Sequence, residues 1–271
     1  MVARSANINV MAKAAEKAAK GLVRDFGEVE LLQVSRKGPA DFVSTADRKA
    51  ESVLREELRR ARPDWGLVLE ESGVVEGRDK SNRWIVDPLD GTTNFLHGIP
   101  HFAISIAAER DGEIIAGVVY EPLRDEMYWA EKGAGAFVNS RRLRVSARTQ
   151  LADAVIATGM PFRGHGDQPR FEAEARQIMG EVAGIRRFGS AALDLAYVAA
   201  GRFDGFWERD LNAWDVAAGV LLVQEAGGFA TEIDGGRNPV WGRSVVAANP
   251  NLLPLLRGAL GKAGGAKAAA G

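Results

Sequence analysis

The segment Trp84-Ile85-Val86-Asp87-Pro88-Leu89-Asp90-Gly91 constrains the fold more than any other stretch of the chain. Three strand-forming apolar side chains lead, with no polar spacer, into two carboxylates. Apolar runs belong in a core, whereas Asp and Glu are rarely buried without partners because desolvation disfavours an unpaired charge. A fold that accepts this segment must supply something at the end of the run to stabilise the acids. The same join recurs at Asp47 after Ser44-Thr45-Ala46, at Glu70-Glu71 after Leu67-Val68-Leu69, and at Asp215 after Trp214. Taken singly, each acid could cap a helix or pair with a nearby arginine. If several converge, repulsion raises their pKa values unless a cation neutralises them. With no cysteine and only 3 histidines in the chain, oxygen donors favour a hard cation such as Mg2+ over zinc or copper. Pro88 fixes the turn, so the two carboxylates and the Leu89 carbonyl can face one site from four consecutive residues. Gly91-Thr92-Thr93 adds a glycine, which lets the backbone approach a ligand, and the expected start of a short helix ending near Gly98. Free amides at a helix start bind phosphate oxygens.

The rest of the chain reads as ordinary globular protein, with 46% hydrophobic and 26% charged residues. The formal net charge of -1 gives no global attraction to nucleic acid or anionic membrane. The absence of cysteine excludes disulfides, iron–sulfur clusters and thiolate zinc sites, and fits a reducing compartment. Ile8, Met11, Ala15, Ala18 and Leu22 form one helical stripe; Ala50, Val53, Leu54, Leu58 and Ala61 form a second, stopped by Pro63. Residues 37–41 between them read as a turn or mobile loop. Strand-like stretches at 102–109 and 114–120 flank Asp111-Gly112, a hairpin signal. Further strand-like pieces lie at 127–130, 136–138, 155–158 and 203–207. Residues 191–200 read as a helix with Ser190 as N-cap and Gly201 just past its end, and residues 215–226 as an apolar helix closed by Gly227-Gly228. Helices, then strands, then mixed elements point to a layered α+β globule: one domain over residues 1–260 and a flexible tail over 261–271. There is no secretory h-region and no run long enough to span a membrane, so the expected location is the cytoplasm.

Residues 84–95, WIVDPLDGTTNF, resemble the metal-binding signature of the inositol monophosphatase family, and residues 214–219, WDVAAG, its second signature. Leu69-Glu70-Glu71-Ser72 and Ser44-Thr45-Ala46-Asp47 match two further family segments, and Gly189-Ser190-Ala191-Ala192 and Glu208 fall where the family contacts its sugar alcohol. The resemblance runs in register from about Ile8 to Asn249. It implies an αβαβα sandwich of the inositol monophosphatase/fructose-1,6-bisphosphatase type. It also implies a homodimer and Mg2+-dependent, Li+-sensitive hydrolysis of a small phosphorylated alcohol such as inositol-1-phosphate by direct attack of a metal-activated water. Two or three Mg2+ are implied per site. Glu70, Asp87 and the Leu89 carbonyl would hold the first; Asp87, Asp90 and Asp215 the second; a third would lean on Glu70. Asp47, Thr92 and Glu70 would orient the nucleophile, and the Gly91 and Thr92 amides would receive the phosphate. Gly189, Ser190, Ala191, Glu208 and Asp90 would meet the substrate hydroxyls, with Asp215 beside them.

Asp90-Gly91-Thr92 also resembles the nucleophile motif of haloacid-dehalogenase-type phosphatases, which form an aspartyl phosphate. Those carry Asp-x-Asp near the N-terminus; here the spacing is Asp-x-x-Asp, a third of the way along. Within the superfamily the metals do not select the substrate, and histidinol phosphate is the main alternative because an acid at Glu208 suits an amine as well as a hydroxyl. A different class of role is association with the transcription machinery, as for some bacterial members; Arg186-Arg187 could contribute a basic patch but reads as solvated surface. His97 and His101 read as structural, and Trp84 and Trp214 as packing that stiffens the neighbouring acids. Lys37, on the 37–41 loop, or Arg36 just before it could reach metals or phosphate.

Overall fold

The computed structural model describes residues 4–28, 34–38, 41–162 and 164–265, with 34–38, 41–44 and 264–265 described by their backbone. The first amphipathic stripe is helix α1 (Ala6–Phe26), capped by the Ser5 side chain accepting from the Ile8 amide at 3.3 Å. Strands β1 (Val34–Gly38) and β2 (Asp41–Ser44) pair antiparallel, so strand backbone stands on both sides of the expected loop. The side chains of Arg36 and Lys37, and residues 39–40, lie outside the described part. Helix α2 (Thr45–Ala61) carries the second stripe and ends just before Pro63.

Eight strands then build the larger sheet in the order β10-β9-β8-β7-β6-β5-β3-β4. They are β3 (Trp65–Leu69), β4 (Gly73–Val75), β5 (Asp79–Asp90), β6 (Ala103–Arg110), β7 (Glu113–Glu121), β8 (Glu126–Glu131), β9 (Gly135–Val138) and β10 (Arg141–Arg142), with the short helix α3 (Thr92–Leu96) between β5 and β6. Asp111 (φ 50°) and Gly112 (φ 81°) form the β6–β7 turn, as expected for a two-residue hairpin whose twist requires positive φ at both positions. All neighbours pair antiparallel except β3 and β5.

The second sheet, ordered β12-β11-β13-β15-β14, comes from the last third of the chain. Its elements are β11 (Val155–Thr158), α4 (Gln168–Met179), β12 (Gly184–Arg186), α5 (Ala191–Ala199), β13 (Gly205–Arg209), α6 (Ala213–Glu225), β14 (Phe229–Thr231), β15 (Ser244–Ala248) and α7 (Leu252–Gly265). Helix α7 runs through residues 261–265, where the tail was expected to start, and Leu260 and Ala263 on it are buried. Residues 266–271 lie outside the described part.

Strand alternation sorts the core into layers. On β6, Ala103 and Ala107 face α5 and α6, whereas Ile104, Ile106 and Ala108 face α1 and α2. On β15, Val245 and Ala247 face α5 and α6, whereas Val246 and Ala248 pack under α4 and α7. The stack is therefore α1/α2, large sheet, α5/α6, small sheet, α4/α7, the αβαβα order. Helix α6 lies close on the large sheet because Gly117 has no side chain: a Cβ there would stand 2.9 Å from Ala218 Cα. The link between the sheets, residues 143–154, is held by the buried Asn249, whose amide donates to the Ser146 and Arg148 carbonyls at 2.9 and 2.8 Å.

Candidate active site

Strand β5 continues through Asp87 and Asp90 instead of ending at the acids. It can do so because the pairing with β6 slips: Asp87 sits opposite Ser105 and Asp90 opposite Ala103, so β5 holds one extra residue. Pro88, which cannot donate to the ladder, falls inside this bulge. In a regular strand, positions three apart face opposite sides. The extra residue brings Asp87 and Asp90 to the same side, that of α5 and α6.

The other acids reach the same place from different elements. Glu70 follows the last residue of β3, with its amide on the Val86 carbonyl at 3.3 Å. Asp215 is the third residue of α6 and accepts the Asn212 amide at 2.7 Å. Burial pushes the Asp87 carboxyl well above the usual range, and Glu70, Asp90 and Asp215 push it further. Asp215 is raised by burial and then by Asp90, against the Asn212 hydrogen bond. Asp90 is raised to about 6 by burial, opposed by donors at the start of α5: the Ser190 hydroxyl at 2.6 Å, the Ala192 amide at 2.7 Å and the Ala191 amide. Asp47, fully buried on α2, accepts the Thr92 hydroxyl at 3.0 Å, and that hydroxyl also lies 3.0 Å from the Leu89 carbonyl. The Leu89 amide donates to Asp87 at 2.9 Å.

Among the described residues, no three of these side chains form a closed ligand set by themselves. Their chemistry nevertheless fits a divalent cation: every donor is an oxygen, and the carboxylates repel one another in a desolvated wall where an added positive charge would lower all their pKa values together.

The wall opens into a cavity of about 810 Å3. Gly91, at φ 99°, places the turn directly on the His101 carbonyl, 3.0 Å from where a Cβ would be, so no side chain fits there. Asn94 clamps this turn to the opposite lip, donating to the His101 carbonyl at 2.9 Å and the Phe188 carbonyl at 2.7 Å. Gly189 (φ 85°), Ser190 and Ala191 form that lip, and Ser190 caps α5 by accepting from the Leu193 amide. Glu208 lies on β13 at the far end, raised to about 8 by burial and by the Asp90 charge, with Arg187 and the Gly159 amide pulling it down. The structure thus brings Glu70, Asp90, Gly91, Thr92, Gly189, Ser190, Ala191, Glu208 and Asp215 to one cavity, with Asp47, Asp87 and the Leu89 carbonyl beside them; Arg36 and Lys37 lie outside the described side chains.

Several residues of this site were not legible as such. Arg186 and Arg187 are both exposed, as read from the sequence, but Arg187 also lines the cavity and offsets the charges of Glu208 and Asp194. Asp194 on α5 is buried with one oxygen, Oδ1, lacking a hydrogen-bond partner; only its position one turn past Ser190 hinted at it. Asn94 lies within the motif, but its two-sided clamp depends on chain remote in sequence. The structural readings hold for His101 and for Trp84. His97 is exposed at the end of α3, and His101 packs its ring against Phe188 and Tyr197. Trp84 is fully buried on Trp65, and Trp214 packs half-buried against the central layer beside the cavity.

Fold and site together define a layered α+β protein with a carboxylate wall facing a glycine turn across a polar cavity. The sequence model of the Inositol monophosphatase family matches residues 3–263. An inositol-1-monophosphatase of Rhizobium meliloti is 62% identical over 94% of this chain and 96% of its own. The Nus factor SuhB of Escherichia coli is 43% identical over 92% and 93%. The crystal structure of the extragenic suppressor protein suhB from Bartonella henselae superposes with a TM-score of 0.92 at 58% identity, covering 95% of this chain and 99% of that one. The chain belongs to the inositol monophosphatase family, a family of phosphatases. Among the described residues, no helix is long and apolar enough to cross a membrane.

Proposed function

We propose that this chain is a Mg2+-dependent phosphatase of small phosphorylated polyols, with inositol-1-phosphate as its leading substrate. The observation that carries the reading is the convergence of Glu70, Asp87, Asp90 and Asp215, drawn from β3, β5 and α6, on one desolvated wall beside Thr92 and Asp47. Full-length relatives named inositol-1-monophosphatase support the substrate.

Glu70, Asp87 and the Leu89 carbonyl would hold one ion, and Asp87, Asp90 and Asp215 a second; a third would lean on Glu70. When bound, the ions make water a stronger acid and neutralise charge on the phosphate oxygens. The remaining work falls to the chain. Thr92 donates its hydroxyl proton toward Asp47, which leaves its oxygen free to accept a hydrogen bond from the attacking water; as the water loses that proton to Thr92, the Thr92 proton passes to the Asp47 carboxylate. The Gly91 and Thr92 amides bind the phosphate. The water oxygen bonds to phosphorus as the ester P–O bond breaks in line; the alkoxide takes a proton from a second water, and the proton held at Asp47 returns to solvent. No protein–phosphate bond forms, so catalysis rests on positioning and electrostatics. Glu208, with Asp90 and the Gly189–Ser190–Ala191 lip, accepts hydrogen bonds from the alcohol.

A kinetic panel of inositol-1-phosphate, histidinol phosphate, fructose bisphosphate and phosphoadenosine phosphate tests this reading. The expected result is preference for inositol-1-phosphate, dependence on Mg2+ and suppression by Li+. Full activity in chelator would refute the metal reading, and preference for histidinol phosphate would reassign Glu208 to an amine. The relatives named Nus factor SuhB favour a second role beside catalysis, association with the transcription machinery. Its test is pull-down of RNA polymerase components with wild type and with Asp90→Asn, which should retain the interaction while losing turnover.

A further inference from the structure

Glu208 has very little room. Its residue pairs with Val245 on β15, so its backbone cannot withdraw from the cavity. On the other side, β13 runs parallel to β11 with Trp207 opposite Thr158, which leaves Gly159 beside Glu208 one step beyond the paired positions. The Thr158 hydroxyl lies 2.8 Å from both the Trp207 and Gly159 carbonyls and so fixes the chain direction there. The Gly159 amide holds the pKa of the Glu208 carboxyl down against burial, and that carboxyl fills the space a side chain at 159 would occupy. A Cβ built on Gly159 would lie 2.0 Å from the Glu208 carboxyl carbon.

We propose that Gly159 is a positioning residue that sets the alcohol specificity of this cavity. By omitting a side chain and offering its amide, it seats the Glu208 carboxylate where the hydroxyls of a polyol substrate are read. Two features separate this from an ordinary packing glycine. Gly159 has no positive φ, so its backbone accommodates alanine. What the added carbon would strike is the mobile end of a long side chain, not backbone, so the fold can yield by moving the carboxylate alone. The cost of a side chain at 159 is then paid in recognition and not in folding.

The inference rests on the phosphatase reading only for its kinetic consequence, and the test has an arm for each part. Gly159→Ala is assayed with inositol-1-phosphate and with phenyl phosphate, which presents the same ester and no hydroxyls. The expected result is a fall of about tenfold in kcat/KM for inositol-1-phosphate relative to phenyl phosphate, carried by KM, the size of one lost hydrogen bond. Glu208→Asp should have a comparable effect in the wild-type background, yet in the Gly159→Ala background the shorter side chain should recover part of the loss. This is a double-mutant cycle with coupling of opposite sign to simple additivity. Equal losses on both esters, or additive effects, would overturn the proposal. A crystal structure of Gly159→Ala tests the steric step by itself: a Glu208 carboxylate still in its original place refutes the proposal even if neither ester is turned over.

Discussion

Asp215 shows how one carboxylate serves two demands. As the third residue of α6 it accepts the Asn212 amide, and it also faces Asp90 and Glu70 across the wall. Asparagine keeps an acceptor oxygen for the cap and removes the charge. Asp215→Asn is therefore expected to fold as the wild type does and to lower kcat by at least about a hundredfold, read by steady-state kinetics beside thermal unfolding. His101 offers a separate test. Burial, with Arg124 nearby, lowers its pKa to about 4, so the folded protein binds the proton more weakly than the unfolded chain, where histidine titrates near its usual 6.5. The unfolded state then carries more protons between those values, and stability falls as pH drops from about 6.5 to about 4. Replacing His101 by Phe, which keeps a ring between Phe188 and Tyr197, should flatten that part of the urea-unfolding pH profile.

Helix α5 links recognition to folding. Ser190 caps it, and the same hydroxyl donates to Asp90. Ser190→Ala should lower stability by about 1 kcal/mol in chemical denaturation and leave Asp90 held by backbone amides alone. Elements like this were legible because their signals are local. The stripes of α1 and α2, the Asp111-Gly112 turn and the Ser190 cap each lie within a few residues. Helix α4 was not legible: of its residues only Glu174 and Ile178 are buried, so it has almost no apolar stripe. Nor was the continuation of β5 past Asp87, since Pro88 argues against a strand unless a bulge absorbs it. The candidate site was legible where a single segment carries it, as at residues 84–95. It was not legible at Asp194 or Gly159, nor in the clamp that Asn94 makes across the cavity, since each depends on contacts between distant segments.

Across the whole molecule, the acid wall is a destabilised region that the surrounding layers hold in place. Desolvation raises Asp87, Asp90 and Asp215 together, and neighbouring carboxylates push Asp87 and Asp215 further, so the metal-free protein forgoes stability at this point. Magnesium should raise the melting temperature, by linkage about 2.7 kcal/mol when free ion is a hundred times its Kd, and chelator should reverse the shift. Asp215→Asn should raise the melting temperature of the metal-free protein and shrink the magnesium-induced shift, both read by calorimetry.

The strap between the two sheets has a practical corollary. Residues 143–154 are the covalent connection between the half bearing Glu70, Asp87, Asp90 and Thr92 and the half bearing Ser190, Glu208 and Asp215, and residues 147–150 on it are exposed. Neither half owns a complete set of functional groups. Dividing the gene at 147–150 and fusing each piece to one member of an interacting pair would make a split reporter, silent until its partners meet.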